Sequence, residues 1–295
     1  MNILITGGTG FIGSFLCKRL LENKHDIVIL SRNPEAVKSP IKGISNLKQL
    51  EIDESFDIII NLAGEPIAGK RWTDKQKDII LSSRIDTTNN IIEYLKVVKW
   101  KPKLLISGSA IGYYGLSKDT KNIDEQGSVD DSFSSHLCQQ WETVALEAKL
   151  LGVRTCLLRT GIVIGKSGGA LSKMLLPFKM GLGGKIGDGK QWMSWIHLKD
   201  LVNIILFCIE NEQCSGAING TSPNSITNIE FTKTLGKVLN RPTIFPIPSV
   251  VIKLLMGQMG QELLLSGKQV LPVAILKAGY KFQYEKLEDA LSDVL

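Results

Sequence analysis

The chain begins with MNILITGGTGFIG, residues 1–13, in which a strand-length apolar run passes directly into a set of glycines. The run ILI is typical of a short buried strand. Gly7, Gly10 and Gly13 follow it at intervals of three residues. From Phe11 onward, apolar residues recur at the spacing of one helical face. The stretch therefore predicts a strand, a glycine-rich turn and a helix in immediate succession.

The three glycines indicate a binding loop. A glycine-rich turn between a strand and a helix brings backbone N–H groups close to a pyrophosphate at the positive end of the helix. Gly7 suits the tight turn, Gly10 lets a phosphate approach the backbone, and Gly13 lets the helix pack closely on the sheet. Because the required strand and helix flank the pattern, it favours dinucleotide binding over an ordinary tight turn. We expect cofactor contacts from Gly7, Gly10, Phe11, Ile12 and Gly13.

The next apolar run, in HDIVILSRNP, ends at Ser31 and Arg32, and Arg32 stands 19 residues after Gly13. In loops that bind NAD, an acid about 20 residues on accepts hydrogen bonds from the adenosine ribose 2′-hydroxyl, whereas an arginine accommodates the 2′-phosphate of NADP. No acid stands at the tip of this strand, and a hydroxyl beside a guanidinium suits a phosphate. Arg32 can also be interpreted as a solvated loop residue. The sequence nevertheless favours NADP(H) over NAD(H).

Apolar runs of strand length alternate with helical patterns through the first half of the chain. Because these runs are continuous rather than alternating, they indicate strands buried on both faces of a parallel sheet. The sequence predicts an α/β fold with a Rossmann-like doubly wound parallel sheet and a smaller C-terminal α+β substrate domain. We place the NADP-binding domain at residues 1–165, with segments at about 190–220 returning to it. The smaller domain occupies mainly residues 166–295.

Composition narrows the class of protein. The 295 residues are 43% hydrophobic and 22% charged, as is usual for a globular protein, and the net charge of +6 is spread along the chain without a basic tail. We therefore expect no nucleic-acid partner. Five scattered cysteines without a C-x-x-C pair argue against a disulfide framework and a zinc site. No run reaches the roughly 18 apolar residues of a membrane span. We expect a cytoplasmic protein with no metal and no membrane partner, and the oligomeric state stays open.

Longer motifs carry a family resemblance over essentially the whole chain. In chain order they are TGGTGFIG, NLAGEPI, SGSAIGYYG, GLGGKIGDGKQWMSWIHLKDL and SGKQVLPVAILKAGYKF. With these motifs the sequence resembles the extended short-chain dehydrogenases/reductases and, within them, the SDR39U1-type epimerase family proteins, also called NAD-dependent epimerase/dehydratase-like. The resemblance implies an NADP(H)-binding oxidoreductase or epimerase that acts on a small molecule.

The resemblance implies further cofactor contacts. Leu62, Ala63 and Gly64 stand where relatives run along the adenosine and ribose. Arg84 stands where many relatives carry an asparagine, and Val163 falls on the nicotinamide side. Core packing explains Leu62 and Val163 equally well. Outside the glycine loop, the candidate cofactor residues are thus Ser31, Arg32, Leu62, Ala63, Gly64, Arg84, Ser107 and Val163.

At the expected catalytic helix the chain departs from the family. Relatives depend on a Tyr-x-x-x-Lys pair, in which the lysine lowers the tyrosine pKa so that the tyrosine serves as acid or base. Aligned on Glu142, Ser134 replaces the tyrosine and Cys138 replaces the lysine. Cys138 has no predictable paired base, so it reads as a small buried hydrophobe. The remaining candidate catalytic residues are Ser109, Tyr113, Tyr114 and His136.

A catalytic role is one interpretation of these four residues, and three of them also allow a non-catalytic one. Ser109 is the usual hydroxyl partner of the family. A histidine such as His136 needs little tuning to act as an acid or base near neutral pH, yet a lone histidine is more often structural or solvated. Tyr113 and Tyr114 can equally be packing residues. A non-catalytic NADPH-binding protein that senses redox state is therefore the competing interpretation, and the missing Tyr-x-x-x-Lys pair favours it.

A second departure concerns the substrate. Sugar-nucleotide epimerases carry an arginine for the nucleotide diphosphate where this chain has Met193. Trp192 and Trp195 offer apolar, stackable surface instead, and a diphosphate would need another cation from the set Lys179, Lys185 and Lys190. We therefore predict a substrate other than an ordinary nucleotide sugar. His197 and Asp200, further along, are assigned to the junction between the domains.

Overall fold

A computed structural model of the chain describes residues 1–50, 54–116, 122–166 and 168–295. The strands in these ranges are β1 Asn2–Thr6, β2 Asp26–Leu30, β3 Lys42–Ile44, β4 Ile58–Asn61, β5 Leu104–Ala110, β6 Arg154–Thr160, β7 Ile162–Ile164, β8 Trp192–Met193, β9 Trp195–His197, β10 Gly216–Gly220 and β11 Ile226–Thr227. The helices are α1 Phe11–Glu22, α2 Asp74–Val97, α3 Phe133–Leu150, α4 Gly169–Lys179, α5 Leu198–Glu210, α6 Asn228–Leu239, α7 Ser249–Leu263, α8 Val273–Lys277 and α9 Leu287–Val294.

Seven strands form the main sheet in the order β10-β6-β5-β4-β1-β2-β3, and every neighbouring pair is parallel. The order reverses between β1 and β4, because β1 continues to β2 on one side and β4 continues to β5 on the other. At such a switch point the loops leaving the carboxyl ends of the strands diverge and open a crevice for a ligand. The predicted doubly wound parallel sheet is confirmed.

Helices cover both faces of this sheet, as the continuous apolar strands require. Ile3 and Ile5 of β1 point into a core that includes Leu16 of α1 and Leu201 of α5. Leu4 points into the opposite core with residues from α2 and α3. The alternation along β1 therefore fixes which helices lie on which face. The glycine loop joins β1 to α1 at the carboxyl edge, where the crevice opens.

The C-terminal half adds a smaller layer. Trp195 and Phe231 belong to a third core that brings together α4, α6 and α9. The side chains of Thr227 and Glu230 form a capping box at the start of α6. β10 returns to the edge of the main sheet beside β6. None of the helices in the described ranges is long and apolar enough to cross a membrane.

Candidate cofactor and active site

Backbone atoms lie close to two glycines of the glycine loop, Gly7 and Gly13, and leave the third, Gly10, open. Gly7 has a φ of 70°, and a Cβ on it would lie 2.6 Å from the carbonyl carbon of Leu62. A Cβ on Gly13 would lie 2.2 Å from the carbonyl oxygen of Gly7. Gly10 differs, because beyond its chain neighbours a Cβ there would meet only the Gly7 oxygen, at 3.2 Å. The backbone at Gly10 is therefore open to an incoming group at the N-terminus of α1.

Buried hydrogen bonds tie the end of β1 to the end of β4 across the switch point. The Thr6 hydroxyl donates to Asn61 Oδ1 at 2.6 Å, and the amide of Ala63 donates to Thr6 Oγ1 at 3.1 Å. Asn61 Nδ2 in turn donates to Thr88 Oγ1 of α2 at 2.9 Å. The loop that carries the predicted contacts Leu62, Ala63 and Gly64 is thus fixed against the glycine loop.

Arg84 reaches that same loop from α2. Its Nη1 donates to the carbonyl oxygens of Glu65 at 3.1 Å and Ile80 at 3.0 Å, and its guanidinium lies over the Trp141 ring at 5.3 Å. A Cβ on Gly64 would lie 2.8 Å from Arg84 Cζ. Burial lowers the pKa of Arg84, against the raising effect of neighbouring acidic groups. Arg84 therefore lies beside the predicted cofactor segment and holds its shape.

Ser31 and Arg32 lie at the carboxyl end of β2, one strand along from the glycine loop. The Ser31 hydroxyl accepts a hydrogen bond from the amide of Asn33 at 3.1 Å. Arg32 is exposed, and its guanidinium makes no hydrogen bond or ion pair with another residue in the described part of the chain. An unpaired guanidinium at this edge is available to an anion.

The remaining cofactor candidates occupy different environments. Phe11 is partly buried, and its ring packs against the start of α4, where a Cβ on Gly168 would lie 2.2 Å from it. Ile12 and Leu62 pack against the main core, as does Val163. Ser107 is fully buried on β5. Core packing thus accounts for the side chains of Leu62 and Val163, and their roles at a cofactor stay predictions.

Ser109 belongs to a buried charged group. Its hydroxyl donates to Glu142 Oε1 at 2.6 Å, and the two Glu142 oxygens also accept from Nε and Nη2 of Arg159, each at 2.8 Å. The side chains of this ion pair are only 5% and 6% exposed. Because the Ser109 proton is directed to Glu142, its hydroxyl has an acceptor lone pair left for another group.

The two candidate tyrosines differ in what their hydroxyls do. Tyr114 is fully buried, donates to Asn219 Oδ1 at 2.6 Å and accepts from Arg159 Nη1 at 2.9 Å. Burial raises the pKa of Tyr114 to about 12. The Tyr113 ring stacks on the Arg159 guanidinium, 3.4 Å from ring centre to Cζ, and its hydroxyl bonds to no other residue that the structure describes. Tyr113 is thus the tyrosine with a hydroxyl to offer.

The two positions of the predicted Tyr-x-x-x-Lys pair and His136 lie on different faces of α3. Ser134 and Cys138 are one turn apart on its buried face, and burial raises the pKa of the Cys138 thiol to about 11. The prediction of Cys138 as a buried hydrophobe fits its 3% exposure. His136 lies half a turn away, with a side chain 53% exposed and Nε2 3.7 Å from Asp131 Oδ1. The structure brings Ser109, Tyr113 and Tyr114 together around Arg159 and leaves His136 outside this group.

The second altered motif is more buried than its sequence indicates. Trp195 is fully buried, and its Nε1 donates to the carbonyl oxygen of Asn224 at 3.0 Å. The prediction that Trp195 offers stackable surface is therefore wrong, because the ring fills the C-terminal core. Met193 is also buried, at 8% exposure, whereas Trp192 remains partly exposed.

Asp200 holds α5 to the C-terminal segment of the chain, and its role at a domain junction stays a prediction. Its carboxylate accepts hydrogen bonds from the Tyr280 hydroxyl at 2.9 Å and from the amides of Gln283 and Tyr284, both at 2.8 Å. These contacts tie α5, which covers the main sheet, to the C-terminal segment. His197 is the N-cap residue of α5, and its Nδ1 accepts a hydrogen bond from the amide of Lys199 at 3.2 Å.

Sequence reasoning missed the ion pair that organises the candidate site. Glu142 stands four residues after Cys138 and therefore on the same buried face of α3. Arg159 ends the apolar run of β6. Charged residues are rarely buried unless they form an ion pair. A search of the sequence for an acid and a base at positions that face the core could therefore have found Glu142 and Arg159.

Comparisons with known proteins agree with this geometry. The sequence matches the NAD dependent epimerase/dehydratase family over residues 3–219 and a domain of unknown function, DUF1731, over residues 247–294. It is 38% identical to the epimerase family protein YfhF of Bacillus subtilis, across 100% of this chain and 98% of that protein. It is 34% identical to the human epimerase family protein SDR39U1, across the full length of both.

Two solved structures with related sequences share the fold. The crystal structure of human epimerase family protein SDR39U1 (isoform 2) with NADPH has a TM-score of 0.89 at 33% identity, and the match covers 100% of this chain and 99% of that one. The nucleoside-diphosphate sugar epimerase of Corynebacterium glutamicum has a TM-score of 0.79 at 27% identity, covering 99% and 57%. The chain therefore belongs to the NAD-dependent epimerase/dehydratase family, with SDR39U1-type epimerase family proteins among its relatives.

Proposed function

We propose that the chain binds NADP(H) in the crevice between the loops that follow β1 and β4. The observation that carries this proposal is the contrast within the glycine loop, where Gly7 and Gly13 are closed by backbone and Gly10 is open. That opening lies at the N-terminus of α1, which favours the negative charge of a pyrophosphate. The NADPH in the crystal structure of the human relative supports the choice of ligand.

Residues around the crevice fit the parts of this cofactor. Amides of the loop from Gly7 to Gly13 would hold the pyrophosphate, and Ser31 with Arg32 would hold the 2′-phosphate. Ala63, Gly64 and Arg84 would border the adenosine ribose, with Ser107 and Val163 on the nicotinamide side. When bound, the nicotinamide supplies or accepts a hydride.

We further propose that the protein is an oxidoreductase or epimerase-like enzyme for a small molecule. Residues 166–295 would cover the substrate, and residues 1–165 with the returning segment at about 190–220 would hold the cofactor. Within the group around Arg159, Ser109 would accept a hydrogen bond from the substrate, and the Tyr113 hydroxyl would donate or receive a proton. The buried thiols of the five cysteines agree with a reducing compartment such as the cytoplasm.

Calorimetric titration of the purified protein tests the cofactor assignment. NADPH should bind at least about tenfold more tightly than NADH, because only NADPH offers a phosphate to Arg32. Equal affinity for the two would contradict the choice of NADP(H). Absence of binding by either would contradict the crevice as a dinucleotide site.

Turnover tests the enzyme assignment separately. NADPH oxidation is followed with a panel of aldehydes and ketones, and any active compound is then used with Tyr113→Phe. This variant keeps the ring on Arg159 and removes the hydroxyl, so turnover should fall by about 100-fold with NADPH affinity unchanged. His136→Gln tests the other titratable candidate in the same assay; because its side chain is exposed and lies outside the group around Arg159, this variant should keep the turnover of wild type. Equal turnover by wild type and Tyr113→Phe would remove Tyr113 from the mechanism.

One observation favours the competing function, an NADPH-binding protein that senses redox state without catalysis. Neither residue at the predicted Tyr-x-x-x-Lys positions offers a group that ionises near neutral pH, since Ser134 carries an aliphatic hydroxyl and burial raises the pKa of the Cys138 thiol to about 11. In that case NADPH binds with the predicted preference and stays unoxidised with every compound of the panel. Mass spectrometry of small molecules retained on purification then separates the two functions, since a sensor retains NADPH alone.

A further inference from the structure

Two segments of the C-terminal half form one exposed apolar surface. The segments are residues 176–185 and 241–255, and backbone hydrogen bonds join them, from Phe245 N to Gly183 O at 3.3 Å and from Ile247 N to Lys185 O at 2.8 Å. Ten of the eighteen large apolar side chains that are exposed in the described ranges lie here. We call this surface the apolar face; its members are Leu176, Met180, Leu182, Ile244, Phe245, Ile247, Val250, Val251, Leu254 and Leu255.

The start of α7 forms the most exposed part of the apolar face. Val250, Leu254 and Leu255 are 71%, 75% and 66% exposed, and Ile252 is the buried apolar residue among them. Gly257 has a φ of 57° and interrupts the helix, so the exposed turns form a short separate piece. A soluble monomer rarely presents a contiguous apolar surface of this kind unless something binds to it.

The charge of the apolar face indicates which kind of partner can bind to it. The two segments contain four cations, Lys179, Lys185, Arg241 and Lys253, and no aspartate or glutamate. None of the four forms an ion pair with a carboxylate that the structure describes; Arg241 Nε and Lys185 Nζ donate to backbone carbonyl oxygens instead. A second copy docked by two-fold symmetry would bring this cationic surface against itself. An anionic surface would neutralise it.

We propose that the apolar face docks on an anionic lipid surface. Leu254, Leu255 and Phe245 would enter the boundary between headgroups and acyl chains, and the cations would lie at the level of the lipid phosphates. This contact departs from the expectation of no membrane partner, which followed from the lack of a run long enough to span. Binding in the plane of the interface needs only a short helix with an apolar face and flanking cations.

Vesicle sedimentation tests the proposal with the full-length protein. Wild type should bind vesicles that contain phosphatidylglycerol and remain in the supernatant with vesicles of phosphatidylcholine alone. The double variant Leu254→Ser, Leu255→Ser should bind the anionic vesicles at least about tenfold more weakly, as should Lys179→Gln combined with Lys253→Gln. Leu150→Ser is the matched control, because Leu150 is 87% exposed at the end of α3 and should leave binding unchanged.

The side chains in these variants are exposed, so folding is checked by an unchanged thermal transition. Failure of wild type to bind anionic vesicles would overturn the proposal. So would equal binding to both kinds of vesicle together with equal binding by the variants. A dimer seen by sedimentation velocity that the Leu254→Ser, Leu255→Ser variant loses, without vesicle binding by wild type, would assign the face to a second copy instead.

Discussion

The Ser134 hydroxyl donates a hydrogen bond of 2.6 Å to Glu262 Oε2, and the amides of Phe133 and Ser134 donate to the same carboxylate at 3.3 Å and 3.0 Å. Glu262 belongs to α7, whereas Ser134 lies in the first turn of α3, at the position where the family resemblance predicts the catalytic tyrosine. The carboxylate sits at the N-terminus of α3, where the helix dipole favours a negative charge. The altered position thus joins the C-terminal segment to the main domain.

Removal of the Glu262 carboxylate should weaken this junction. In Glu262→Ala, four buried or partly buried donors lose their acceptor, the three at the start of α3 and Gln258 Nε2 at 2.8 Å, so we expect the free energy of unfolding to fall by about 1–3 kcal/mol. Glu262→Gln keeps one acceptor oxygen and should lose less. Urea unfolding at pH 7 measures both variants against wild type. An unchanged midpoint in Glu262→Ala would show that water replaces the carboxylate without cost.

The strands at the core of the sheet were predictable because their apolar runs are continuous. β2 and the end of β1 lie where the sequence places them. Side chains on both faces of these strands pack against helices, so apolar residues follow one another without polar positions between them. The residues at which the helices begin are harder to predict from the sequence. α2 begins at Asp74, where its first turns are mostly polar and lie largely at the surface, and the Thr73 side chain caps them.

The glycine loop allows a matched pair of substitutions. Gly10→Ala places a Cβ 3.2 Å from one carbonyl oxygen, so the fold should survive with a loss of at most about 1 kcal/mol. The methyl group occupies the space where a phosphate approaches, so NADPH affinity should fall by about tenfold or more. Gly13→Ala places a Cβ 2.2 Å from the Gly7 oxygen and should destabilise the fold by about 1–3 kcal/mol.

Thermal unfolding and NADPH fluorescence titration measure the two effects separately. A Gly10→Ala variant with wild-type affinity would remove this glycine from the binding loop. A Gly13→Ala variant with wild-type stability would show that the loop can shift away from α1.

Prediction of the site succeeded where a motif has a local cause and failed where partners are distant in the chain. The glycine spacing follows from one turn, so the sequence alone indicates it. The Arg159–Glu142 pair joins β6 to α3, and its members are 17 residues apart. Trp195 looks like any exposed aromatic in the sequence, and only the packing of α6 and α9 around it shows that it belongs to a core.

His197 should make stability depend on pH. Its Nδ1 accepts from the Lys199 amide, so the neutral ring carries its proton on Nε2, 3.4 Å from Asp293 Oδ2. Burial lowers the pKa of His197 from 6.5, although Asp293 opposes the shift. The unfolded chain therefore takes up a proton near pH 6.5 while the folded imidazole stays neutral. The contribution of the neutral His197 to the free energy of unfolding is therefore fully present above pH 6.5. As the pH decreases below 6.5, this contribution decreases by at most about 1.4 kcal/mol per pH unit.

His197→Asn tests this dependence, because asparagine keeps an acceptor for the start of α5. Urea unfolding between pH 7 and pH 5 should show a shallower loss of stability in the variant than in wild type. His136→Asn, at an exposed histidine, is the control for the substitution itself. If His197→Asn retains the wild-type slope, the buried imidazole already titrates as it does in the unfolded chain.

Arg32 provides the most selective test of the cofactor. Its guanidinium is exposed and unpaired among the described residues, so its loss should leave the fold intact. A charge-assisted hydrogen bond to the 2′-phosphate contributes on the order of 1.5–3 kcal/mol, or roughly ten- to a hundredfold in affinity. Arg32→Ala should therefore weaken NADPH by about that factor and leave NADH nearly unchanged, because NADH has no 2′-phosphate. The preference of wild type for NADPH should also decrease as the salt concentration rises, since an exposed ion pair is screened.

Calorimetry with both cofactors measures these affinities. Arg19→Ala is the matched control, because it removes one surface arginine from the other end of α1. Equal loss of NADPH and NADH in Arg32→Ala would mean that the arginine supports the loop and does not read the phosphate.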